Sequence, residues 1–96
     1  MRSKAGWIQE GCRRVLRIAA DRWVNPQDWT FKASFVDGDL NFVLVASMRQ
    51  GDKKLETRVV FPSKQVNDDA ERLTMEHKVS QACAEMERRQ QSWPDD

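Results

Sequence analysis

The feature that most constrains the fold is an alternation of apolar and other side chains between residues 29 and 61, interrupted by two turns. Successive side chains of a strand point to opposite faces, so this pattern predicts three strands that share one apolar face. The predicted inner face consists of Trp29, Phe31, Ala33, Phe35, Leu40, Phe42, Leu44, Ala46, Met48, Leu55, Thr57, Val59 and Phe61. An antiparallel sheet with one buried face is the structure that this alternation favours.

The residues between the strands predict how the strands pair. Asp37-Gly38 is typical of a two-residue type I′ hairpin, and Gly51-Asp52 is typical of a type II′ hairpin. The expected partners are Phe35 with Leu40, Ala33 with Phe42, Phe31 with Leu44, Met48 with Leu55, Leu44 with Val59, and Phe42 with Phe61. Both turns keep the large apolar residues on one face, whereas a one-residue slip would distribute them over both faces.

Helical periodicity flanks the strands on both sides. From Lys4 to Val24, apolar residues recur at spacings of three and four, and Asn25-Pro26 ends the pattern. That stripe consists of Ile8, Cys12, Val15, Leu16, Ala19 and Trp23. A second, long helix is predicted to start at Ser63 or at Asn67-Asp68 and to run to about Gln91.

These elements predict one compact α+β domain over residues 1–96, with residues 92–96 as a frayed tail. The order is α-β-β-β-α, a three-stranded antiparallel meander with both helices packed on one face. The chain has 96 residues, of which 40% are hydrophobic and 32% are charged. That length suits a single core, and that composition excludes a wholly disordered chain.

The last predicted helix carries two apolar stripes, although a helix lying on one sheet needs only one. The first stripe consists of Val66, Ala70, Leu73, His77 and Ala84. The second consists of Met75, Val79, Ala82, Cys83, Met86 and Trp93. The second stripe is expected to contact the first helix, to turn inward at a kink near Thr74, or to bind a partner.

The outer face of the predicted sheet carries four valines surrounded by charged residues, and clustered apolar side chains often mark an interaction site. The sequence therefore favours a small non-enzymatic protein-interaction module, homodimeric, of inhibitor, immunity or adaptor type and of bacterial or phage origin. The outer sheet face, a sheet edge and the second helix stripe are the expected interfaces. The candidate partner-binding residues are Val36, Val43, Val45, Arg58, Val60, Met75, Val79 and Met86.

Charge is distributed unevenly along a chain whose formal net charge is only +1. Residues 1–23 contain six basic and two acidic side chains, whereas residues 66–96 contain four basic and eight acidic ones. Arginines on one helix face can contact phosphates, so an RNA- or DNA-binding module is the alternative function. Its candidate residues are Arg13, Arg14, Arg17, Lys53 and Lys54.

The α-β-β-β-α order resembles that of double-stranded-RNA-binding domains and of the small Alu-RNA-binding subunits of the signal recognition particle. The resemblance covers most of the chain and concerns the order of elements. In the first group, the first hairpin loop is longer, with Gly-Pro-x-His character, and the last helix starts with lysines. Here the loop is Asp37-Gly38-Asp39 and the helix start is Asn67-Asp68-Asp69-Ala70-Glu71, so acidic groups lie where phosphates would approach.

Residues suited to catalysis are few. His77 is the one histidine, and Cys12 and Cys83 are expected to be reduced thiols on apolar helix faces. A Cys-dependent enzyme is the third hypothesis. No metal and no cofactor are expected, because structural zinc sites need four ligands and phosphate-binding glycine motifs are missing. Without a predicted signal peptide or membrane span, a cytoplasmic protein is expected.

Overall fold

The computed structural model describes residues 4–92 and confirms the predicted α-β-β-β-α order. The elements are α1 (Lys4–Arg22), β1 (Thr30–Val36), β2 (Asn41–Gln50), β3 (Lys53–Pro62), a short α2 (Ser63–Val66) and α3 (Arg72–Gln91). After α1, Asn25 adopts a left-handed conformation with φ 54°, and a 3₁₀ turn follows at Pro26–Asp28. Of the predicted tail, residues 93–96 lie outside the described part of the chain, and the Ser92 hydroxyl donates to the Arg89 carbonyl at 2.8 Å.

The sheet has the order β1-β2-β3 with antiparallel pairing throughout. The β2–β3 register is the predicted one, with a two-residue turn whose Gly51 has φ 62°. The predicted β1–β2 register is wrong by two residues. Phe35 pairs with Phe42, and the loop comprises the four residues 37–40. A shift of two residues preserves the faces of both strands, so the apolar side of the sheet is still the predicted one.

A tertiary hydrogen bond explains the longer first loop. Leu40 was expected to be a strand residue, but it adopts φ 53° and its side chain is 57% exposed. Its carbonyl accepts a hydrogen bond from the Ser63 N–H at 3.0 Å, which ties the loop to the start of α2. The local turn preference of Asp37-Gly38 does not include this long-range contact.

Helices α1 and α3 pack on the inner face of the sheet and against each other, as predicted. Phe42, Leu44 and Ala46 of the central strand are fully buried beneath them. The larger core contains Val15, Ile18, Ala19, Trp23, Leu55, Phe61, Val66, Met75, Val79, Cys83 and Met86. Burial of this apolar face is the main stabilising contribution to the fold.

The long C-terminal helix is interrupted at Asn67-Asp68 rather than kinked near Thr74. A short α2 precedes the break, and a 3₁₀ turn at Asp69–Glu71 follows it, with the Asp68 carboxylate accepting from the Ala70 N–H at 3.0 Å. Because of the break, Val66 does not follow the helical periodicity of α3. The first apolar stripe therefore does not form one continuous face.

The second apolar stripe is the one that faces the core. Met75, Val79, Cys83 and Met86 are each at most 3% exposed. The proposal of Met75, Val79 and Met86 as partner-binding residues is therefore corrected, because α1 and the sheet already cover them. The opposite side of α3, where Leu73 is 70% exposed, faces solvent instead.

Candidate functional site on the outer face of the sheet

Within residues 4–92, α1 and α3 both pack on the inner face of the sheet, and cross-strand pairing arranges the side chains of the opposite face in rows. The rows are Val36–Asn41–Pro62, Ser34–Val43–Val60, Lys32–Val45–Arg58, Thr30–Ser47–Glu56 and, beyond the end of β1, Arg49–Lys54. One end of the face is thus apolar and the other end is basic. We call this set of side chains the outer face.

The apolar end has two exposed valines and one covered valine. Val36 is 40% exposed and Val60 is 48% exposed. Val43 is buried, but it does not belong to the core cluster beneath the helices. On the outer side of the sheet it pairs with Ser34 and Val60. Of the four valines predicted to be exposed there, only Val36 and Val60 are exposed, whereas Val43 is buried and Val45 is half-buried at the boundary with the basic end.

The basic end contains three cations that have no carboxylate partner in the described part of the chain. Within residues 4–92, Lys32, Arg49 and Arg58 form no ion pair, and all three are exposed. Lys54 contacts the Glu56 carboxylate at 3.5 Å. The pairing of Val45 with both Lys32 and Arg58 brings these two charges to either side of one half-buried valine. The outer face therefore carries a net positive charge beside an apolar patch.

Arg58 is a site candidate on sequence grounds, whereas Lys32 and Arg49 are not among those candidates. The alternation in β1 already predicted that Lys32 lies on the outer face. Arg49 pairs with Lys54 across β2 and β3, in the register that follows from the Gly51-Asp52 turn. A census of the charges in each cross-strand row would have identified both residues from the sequence alone.

The three arginines of the alternative site have different environments. The Arg14 guanidinium donates to the Val66 carbonyl at 3.1 Å and to the Asp69 carboxylate at 3.2 Å, and so connects α1 to the α2–α3 junction. Arg13 and Arg17 are exposed and form no ion pair within residues 4–92. Only those two remain available to an external anion.

Lys53 and Lys54 lie in the β2–β3 hairpin rather than beside those arginines. They follow the turn on β3, and Lys54 is exposed whereas Lys53 is half-buried. Arg14 and Arg17 instead line a cleft of about 210 Å³ between α1 and the α2–α3 junction, together with Asp68, Asp69 and Arg72. The structure therefore does not bring the five basic candidates together into one surface.

The two cysteines are not arranged as activated nucleophiles. Burial raises the pKa of both thiols above the ordinary value. The Cys83 Sγ accepts a hydrogen bond from the Val24 N–H at 3.4 Å and lies 3.7 Å from the Glu87 carboxylate. Since the thiolate is the reactive form, a raised pKa reduces the reactivity of both thiols at neutral pH. His77 and Cys83 both lie on α3. His77 is exposed to solvent, whereas Cys83 faces the core of the protein.

Among residues 4–92, no group of three or more His, Cys, Asp or Glu side chains is placed to hold a metal ion. In the same part of the chain, no helix combines the length and the apolar character needed to cross a bilayer.

Comparison with known proteins adds no relative to these observations. No protein-family model, no curated protein and no solved structure matches the chain.

Proposed function

We propose that this chain is a non-enzymatic protein-binding module whose outer face binds an acidic partner protein. The observation that supports it is the adjacency of exposed Val36 and Val60 to Lys32 and Arg58, which form no ion pair within residues 4–92. Apolar side chains contribute affinity when they are desolvated, and surrounding charges steer and select the partner. Binding without chemistry is the activity that an inhibitor, an immunity protein or an adaptor needs.

Charge indicates the kind of partner. Two copies of the outer face pressed together would set Lys32 and Arg58 of each copy against either the basic end or the apolar end of the other copy. Neither end offers a spare carboxylate, because Glu56 already contacts Lys54, so these cations would be opposed by like charges or desolvated without a partner. An acidic surface on a different protein would compensate these cations. We therefore assign the outer face to a partner that has carboxylates around an apolar centre.

Affinity capture from the native host, with two charge-reversal variants, tests this assignment. Lys32→Glu/Arg58→Glu changes the outer face, and Arg13→Glu/Arg17→Glu makes an equal change of charge on α1. Extracts are treated with nuclease, and thermal unfolding first establishes that both variants fold. We expect one protein to be retained by the wild type and by the α1 variant, and lost from the outer-face variant. Equal retention by both variants would contradict the proposal.

A second candidate function, nucleic-acid binding through α1, is favoured by the exposure of Arg13 and Arg17 without ion pairs in the described chain. Retention of the purified protein on a polyanion column should then decrease with salt, because phosphate binding releases counterions. Replacement of both arginines by alanine should lower the salt concentration of elution. Elution unchanged by that replacement, but shifted by Lys32→Glu/Arg58→Glu, would assign any polyanion binding to the outer face instead.

A further inference from the structure

The two edges of the sheet differ in how they are protected. Along β3, three consecutive positions of the outer face carry charges of alternating sign, at Lys54, Glu56 and Arg58. In addition, Lys78 of α3 donates a hydrogen bond to the Val60 carbonyl at 3.2 Å. β1 has one charged residue, Lys32, in its sequence Thr-Phe-Lys-Ala-Ser-Phe-Val. Within residues 4–92, no hydrogen bond occupies the backbone groups of Phe31, Ala33 or Phe35 on the side away from β2. Charges and capping contacts protect edges from pairing, so β1 is the open edge.

The pairing pattern shows which backbone groups of β1 point outward. A two-residue hairpin closes on a hydrogen-bonded pair, here Gln50 and Lys53, and such pairs alternate with non-hydrogen-bonded pairs along the ladder. Val60 then belongs to a non-hydrogen-bonded pair, so its carbonyl points outward, in agreement with its bond to Lys78. Continued across β2, the same alternation directs the outward N–H and C=O groups of β1 to residues 31, 33 and 35.

We propose that a second copy of this chain pairs with that edge, β1 against β1 in antiparallel orientation, with the two-fold axis at Ala33. In this register Ala33 faces Ala33 of the second copy, Phe31 faces Phe35, Lys32 faces Ser34, and Thr30 faces Val36. The outward backbone groups at 31, 33 and 35 then form hydrogen-bonded pairs with those at 35, 33 and 31. No like charges are opposed, and each phenylalanine faces another, which favours pairing.

The inner side of the same edge is apolar and incompletely covered. Phe31, Ala33 and Phe35 of β1 are all half-buried, whereas the core positions of β2 are fully buried. On α1, Cys12 and Leu16 are also half-buried, and helical periodicity directs them away from the flank on which Arg14 contacts α2. The two-fold axis would place the same flank of α1 in the second copy, with its Cys12 and Leu16, next to this flank of the first copy. The second copy would thereby cover apolar surface that one chain leaves half exposed.

The resulting assembly is a six-stranded sheet whose helices all lie on one side. Its two outer faces become continuous across the two-fold axis, since paired strands keep the same face outward. The inference does not depend on the proposed acidic partner, because self-association is measured with the purified chain alone.

Sedimentation equilibrium on three proteins tests the register as well as the association. The wild type is compared with Ser34→Lys and Ser34→Glu, because residue 34 is exposed in one chain and faces Lys32 of the second copy. Each substituted pair occurs twice in the dimer. We expect Ser34→Lys to weaken the dimer, and Ser34→Glu to strengthen it, by roughly 2- to 30-fold each. Ser80→Lys and Ser80→Glu make the same changes at an exposed serine of α3 and should leave the dimer unaffected.

A further variant tests the backbone contacts. Ala33→Pro removes an N–H that points away from β2, so it should abolish the dimer without removing a hydrogen bond within the sheet. If Ala33→Pro does not fold, the residue-34 pair decides alone. A wild type that stays monomeric at millimolar concentration overturns the proposal. So does a dimer whose dissociation constant responds equally to the substitutions at residues 34 and 80.

Discussion

Gly11→Ala is expected to destabilise the protein, although alanine is a better helix former than glycine. Gly11 lies in the interior of α1 and is buried against the ring of Phe42. A methyl group at this position would overlap two carbon atoms of that ring. Phe42 has no exposed surface, and Phe35 and Trp7 lie against it with ring centroids 5.0 and 5.5 Å away. The ring can therefore move only if Phe35 or Trp7 moves as well.

Two opposing effects set the magnitude. Replacement of glycine by alanine in a helix interior stabilises by about 1 kcal/mol. Overpacking of a filled core costs typically 1–3 kcal/mol, and a direct overlap falls at about 3 kcal/mol, the upper end of that range. The net loss is about 2 kcal/mol, which lowers the melting temperature of a domain of this size by roughly 10 °C.

Urea unfolding, monitored by tryptophan fluorescence, measures this effect. Ala20→Gly, at an exposed position of the same helix, is the matched control and should cost about 1 kcal/mol through helix propensity alone. In the double variant Gly11→Ala/Phe42→Leu the smaller side chain makes room for the methyl group. The double variant should therefore lose about 1 kcal/mol less stability than the sum of the losses measured for Gly11→Ala and Phe42→Leu alone. A Gly11→Ala protein as stable as the wild type would refute the proposed packing of α1 on β2.

Three further predictions concern single positions elsewhere. Leu40→Asn should raise the free energy of unfolding by about 0.5–1 kcal/mol in urea titrations. An exposed leucine at φ 53° is strained, whereas asparagine tolerates that conformation. A loss of stability would contradict this prediction. Arg14→Ala should lower the free energy of unfolding by up to about 1 kcal/mol, because it removes the contact of α1 with the α2–α3 junction. Arg13→Ala removes no such contact and should change it by no more than about 0.5 kcal/mol. Equal losses from the two substitutions would argue against the contact. Thiol labelling at neutral pH should be slower at Cys83, which is 3% exposed, than at half-buried Cys12. Labelling of both thiols should accelerate as the pH rises toward their raised pKa values. Faster labelling of Cys83 than of Cys12 would contradict the placement of Cys83 in the core.

The sequence was sufficient to predict the features that depend on side-chain periodicity. Alternation identified both faces of the sheet, and the Gly51-Asp52 turn correctly aligned β2 with β3. Periods of three and four identified Val15, Ala19 and Trp23 on the inner side of α1. These features are local, and one buried face strongly restricts the alternatives.

The features that were mispredicted depend on long-range contacts. The first hairpin loop is lengthened by the bond between Ser63 and Leu40, which no turn preference contains. The C-terminal helix is divided at Asn67-Asp68, so Val66 and Leu73 no longer share a face. For the candidate site, alternation predicted the valines, whereas the basic end became clear only when Lys32, Val45 and Arg58 were seen in one cross-strand row.

Site-specific photo-crosslinking in the native host tests the central claim, that the outer face is where this protein meets its partner. A benzophenone amino acid replaces Ser34 on the outer face in one variant and Ser80, exposed on α3, in another. We predict a crosslinked product whose mass differs from that of the chain's own dimer from position 34, none from position 80, and loss of the adduct when Lys32→Glu/Arg58→Glu is added. An adduct that forms from position 80 but not from position 34 would show that the partner binds elsewhere.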